Sequence, residues 1–103
     1  MNDQLKPTST NPLGQPTADG ILDEAINTMR ERAAQRDVEQ ERTMGRIVAT
    51  FNAMTGHNLT EVEGWKFMVI LKMVRSQTGS YNVDDFVDMA AYIGLTGEAA
   101  APK

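Results

Sequence analysis

The chain contains no cysteine, which removes disulfides, thiolate zinc sites and a thiol nucleophile together. No apolar run approaches the ~20 residues that a membrane span needs, so no membrane partner is expected. Nothing resembles a glycine-rich phosphate loop. Histidine is nearly absent as well: His57 stands alone in a Gly-His-Asn turn, with no Ser or Cys arrangement around it to make a nucleophile and base. Basic residues are few and dispersed, 10 Lys and Arg against 14 Asp and Glu for a net charge of −4. Duplex nucleic-acid binding rests on clustered cations, so this balance argues against it; it does not exclude a single nucleotide. The N-terminus lacks the charged-then-apolar pattern of a leader, and a cytoplasmic protein is expected.

What is present fits one small domain. The chain has 103 residues, 41% of them hydrophobic, with only six aromatic side chains. A core of that size supplies little net stability, and self-association is a common supplement. Seven methionines suggest a core and a contact surface built from flexible, adaptable side chains.

The organising stretch is Trp65 to Val74, where only Lys66 and Lys72 interrupt the apolar residues. Thr60 and Glu63 have the spacing of a capping box, Gly79 suits a left-handed terminator, and the ~15 residues between exceed an ordinary strand. The pattern predicts a helix, apolar nearly all round and therefore central.

Around it the reading runs in order. Met1 to Ala18 is rich in Asn, Thr, Ser, Gln and Pro and is expected to be a disordered tail. The helical domain spans 19–97. Its first helix starts at a capping Asp19 and runs to about Gln35, with Ile21, Leu22, Ala25, Ile26 and Met29 on one face. Arg36 to Glu41 reads as a connection. A second helix covers about Gln40 to Met54, with Met44, Ile47, Val48, Phe51 and Met54 as its stripe; Gly56 ends it, and Gly45 marks close approach of another backbone or a weak point. The last helix opens at Asn82, carries Asp84 and Asp85 where the macrodipole favours anions, and is stapled by Tyr81 and Phe86. Its apolar face is Val83, Phe86, Val87, Ala90 and Ile93, and Gly94 or Gly97 ends it. Residues 98–103 are a frayed end. The fold class is all-α, a four-helix bundle with antiparallel neighbours.

Four charges form the main constellation. Lys72 and Arg75 share a face of the third helix, Asp85 and Asp88 a face of the fourth. In an αα-hairpin across 77–82, Lys72 meets Asp88 and Arg75 meets Asp85. One reading makes these ion pairs a register lock, since an unpaired buried charge is costly. The other makes Asp84, Asp85 and Asp88 ligands of Mg²⁺, with Lys72 and Arg75 binding nucleotide phosphates.

The segments Ile21–Ala25, Met68–Arg75 (Leu-Lys-x-x-Arg at its end) and Asp84–Tyr92 (Asp-Asp-x-x-Asp-x-x-x-Tyr) resemble a family of short phage and prophage proteins of unknown function over about Gly20 to Gly97. That family is similar to nucleotide-modification-associated phage domains and, remotely, to MazG-like all-α nucleotide pyrophosphohydrolases. The resemblance implies a homo-oligomer in the cytoplasm of a bacterial host, with Asp84, Asp85 and Asp88 as counterparts of an acidic metal-binding helix. The sequence departs from the MazG pattern at the second Glu-x-x-Glu pair: Glu61 is followed three residues later by Gly64, which tells against catalysis. Two readings remain, a nucleotide-binding or nucleotide-processing protein and a non-catalytic protein that modulates a host protein.

Overall fold

The structure, a computed structural model, describes residues 10–39 and 43–103, with 33–39 described as backbone only. Four helices follow one another: α1 (Ala18–Glu39), α2 (Thr43–Thr55), α3 (Glu61–Ser76) and α4 (Val83–Ala100). The all-α architecture is the expected one. The first nine residues of the expected tail and the expected start of the second helix at 40–42 lie outside the described residues.

From Thr10 the chain is locally built rather than featureless. The Asn11 carboxamide oxygen accepts from the Leu13 and Gln15 amides at 2.9 and 3.0 Å, and Gly14 supplies the positive φ (79°) that the turn requires. The cap of α1 then lies two residues earlier than expected. Thr17 is its cap, its hydroxyl accepting from the Gly20 amide at 3.2 Å, and Asp19 sits in the first turn. α1 also runs through 36–39, so that part of the expected connection is helical.

The third helix is capped as the sequence predicts. Thr60 Oγ1 accepts from the Glu63 amide at 3.1 Å, and Glu63 Oε1 accepts from the Thr60 amide at 2.9 Å. Asn82 caps α4 by accepting from the Asp84 amide, and Tyr81 stacks on Phe86 with ring centroids 5.6 Å apart. Gly56 (φ 77°) follows α2 and Gly79 (φ 70°) lies in the α3–α4 loop. The C-terminal prediction fails: α4 passes through both Gly94 and Gly97 to Ala100. Each glycine costs ~1 kcal/mol relative to alanine, and packing outweighs it at Gly94, which lies beneath the Met29 thioether of α1.

The helices stand in a row, α1–α4–α3–α2. α3 and α4 form the most extensive pair, α1 packs on α4, and α2 packs on α3. Two small apolar layers result. Ala25, Val87 and Ala91 are buried between α1 and α4 with Ile21, Met29, Val83 and Ala90 around them; Met44, Val48 and Gly64 are buried where α2 meets α3.

This arrangement corrects the expectation of a fully covered central helix. Among the described residues α3 has a neighbouring helix on two sides only, and Phe67, Ile70 and Val74 on its remaining face are 65%, 55% and 54% exposed. Three partner helices placed in a row offer α3 two contacts, too few for a helix apolar on nearly every side. Leu22 and Ile26 of α1, Ile47, Phe51 and Met54 of α2, and Phe86 and Ile93 of α4 are exposed as well. No helix among the described residues is long and apolar enough to cross a membrane.

Candidate functional site

The charged constellation is half assembled. Lys72 Nζ donates to Asp88 Oδ2 at 2.9 Å, with the two side chains 14% and 20% exposed, and this is the rung that the hairpin geometry predicts. The second rung is absent among the described residues: Arg75 is exposed, Asp85 is 7% exposed, and no ion pair joins them. Helical geometry accounts for the difference. Trp65 and Lys72, seven residues and about 20° apart around α3, both meet α4, the first by stacking on Tyr92 and the second through Asp88. Arg75 is turned about 60° from Lys72, past the edge of that contact.

The carboxylates do not converge. Asp84 is exposed in the first turn of α4, Asp85 is buried one residue later, and Asp88 is held by Lys72. Among the described residues no three His, Cys, Asp or Glu side chains come together as a cation-binding group. Asp84, Asp85 and Asp88 are therefore not gathered into one group.

His57 follows α2 in an exposed loop, its amide donating to Thr55 Oγ1 at 3.3 Å and its ring 5.7 Å from that of Phe51. That loop is clamped by Asn52. Its carboxamide donates to the Leu59 carbonyl at 3.0 Å and accepts from the Leu59 amide at 2.9 Å, a bidentate contact with no motif to announce it.

Sequence reasoning missed a cleft in this part of the fold. Above the α3–α4 pair, where α1 and α2 flank it, lies a cleft of about 310 Å³. Trp65 and Tyr92 line it as a stacked pair with centroids 5.9 Å apart and planes at 28°. Methionines 29, 44 and 68 line it from three helices, and Arg32 stands at its rim. The seven methionines were the available signal, but their convergence is a tertiary property.

Residues 20–100 match the family described as a domain of unknown function (DUF6378). The chain belongs to that family. Its domain spans all four helices, from the first turn of α1 to the last residue of α4. No curated protein and no solved structure matches the chain.

Proposed function

We propose that this DUF6378 chain is a non-catalytic binding protein whose working unit is a self-associated assembly, with the apolar face of α3 as the seam between copies. The observation that carries the reading is the bare row Phe67, Ile70 and Val74. Its three- and four-residue spacing is that of a helix–helix seam.

Catalysis and nucleotide processing draw less support. Lys72 is committed to Asp88, and the three carboxylates meant for a metal are separate. The phage resemblance suggests a protein of the bacterial host as the partner that such an assembly would engage.

Light scattering on the purified chain tests the seam. The expected result is a mass of at least two chains, lowered toward 11.3 kDa by Phe67→Asp or Ile70→Asp. A monodisperse monomer at micromolar concentration would refute it. Thermal denaturation with Mg²⁺ and a panel of nucleotides tests the rest: a ligand at 100 times its Kd adds about 2.7 kcal/mol, and such a shift would restore the nucleotide reading.

A further inference from the structure

The cleft between α1 and α2 has a chemistry distinct from that of the α3 seam. Apart from Thr28, Thr43 and Arg32, its lining is apolar and aromatic, and no carboxylate lines it among the described residues. Arg32 is exposed and takes part in no ion pair with the described residues. Neither the Trp65 indole N–H nor the Tyr92 hydroxyl has a hydrogen-bond partner among them. The cleft thus joins an aromatic floor and adaptable methionine walls to a cation with unused donors. A volume of about 310 Å³ lies at the lower end of the ~300–1,000 Å³ range for small-molecule pockets.

We propose that this cleft binds a small aromatic monoanion, with its ring against Trp65 and Tyr92 and its charge on Arg32. An apolar body fits the methionines and the two rings. One negative group complements the guanidinium, and a cation would meet no carboxylate among the described lining residues. The site does not depend on the seam: Trp65 and Phe67 are about 160° apart around α3, so the two surfaces lie on opposite sides of that helix.

Trp65 is the sole tryptophan and reports on its own site. The experiment titrates the full chain with 1-anilinonaphthalene-8-sulfonate, following Trp65 emission and energy transfer to the dye. The expected result is saturable binding of one dye per chain with quenching of Trp65. Arg32→Gln should weaken it roughly tenfold, the loss of one charge-assisted hydrogen bond. N-phenyl-1-naphthylamine, which has the rings without the sulfonate, should bind both proteins equally. Ile47→Glu, a change at an exposed wall residue, should also weaken the sulfonate, whereas Phe67→Ser should leave it unchanged. Absence of dye binding, binding without a Trp65 response, or binding lost in Phe67→Ser and unaffected in Arg32→Gln would each overturn the proposal, the last by placing the dye on the α3 seam.

Discussion

At the scale of single residues, Gly64 decides how closely α2 approaches α3. A Cβ there would collide with Met44 Sδ and stand 2.9 Å from Val48 Cγ1, whereas a Cβ at Gly45 would meet only Glu61 Oε1 at 3.7 Å. The close approach that the sequence suggests at Gly45 therefore belongs to Gly64. Gly64→Ala should cost about 1–3 kcal/mol by overpacking, while Gly45→Ala should gain up to about 1 kcal/mol from helix propensity; urea unfolding of the two variants checks both signs. The Lys72–Asp88 pair makes a second prediction. Asp88→Ala strands a mostly buried ammonium and should cost about 2–3 kcal/mol, below the 3–5 kcal/mol of a fully buried pair because both side chains keep some water contact. The double change Lys72→Met with Asp88→Leu should recover most of that loss, as a chemical-denaturation cycle would show. Asp19 gives a pH signature. The Thr17 hydroxyl donates to its carboxylate, which with nearby backbone amides holds its pKa below the ordinary 3.8. A lowered carboxylate contributes stability that is present above the unfolded value and lost as the pH falls through the folded one. Thr17→Val should move the Asp19 midpoint back up, read by carboxyl-carbon NMR titration below pH 5.

At the scale of elements, α3 is defined by its cap and α4 by its neighbours. Thr60→Ala removes the hydroxyl half of the capping box, leaving the Thr60 amide on Glu63, and should lower stability by about 1 kcal/mol, with hydrogen exchange speeding up first at residues 61–64. α4 contains two glycines that intrinsic preference would use as stops. It continues past them, Met29 of α1 being seated over Gly94, whereas a Cβ at Gly97 would meet nothing within 4 Å. The capping box and the Tyr81–Phe86 staple are short-range devices that depend on spacing along the chain, and both were legible in the sequence. The Asn52 clamp on Leu59 spans seven residues and uses an amide that could have faced any direction, so it was not. The candidate site divides along the same line. A hairpin of known handedness and loop length fixes which rung faces which, and Lys72–Asp88 followed. The rotation of each helix about its own axis is set by packing, and Arg75–Asp85 was lost to it.

At the scale of the whole molecule, much apolar surface stays uncovered: Phe67, Ile70 and Val74 are each more than half exposed. No large side chain is completely buried among the described residues, and the core rests on Ala25, Val87, Ala91 and a few neighbours. A chain so built gains stability from association, so its Tm should rise with protein concentration. Calorimetry across a hundredfold dilution checks this; a Tm independent of concentration would mean that the row of helices is stable alone.

Apolar periodicity and end-capping chemistry determined by themselves that the chain is four helices, because both act within a turn or two of backbone. Only the tertiary structure decided which faces those helices hide. α3 carries more apolar surface than two neighbours can cover, and the order α1–α4–α3–α2 leaves one side of it open while a cleft forms beside Trp65. Burial depends on how helices are placed around one another, and local pattern does not encode that placement.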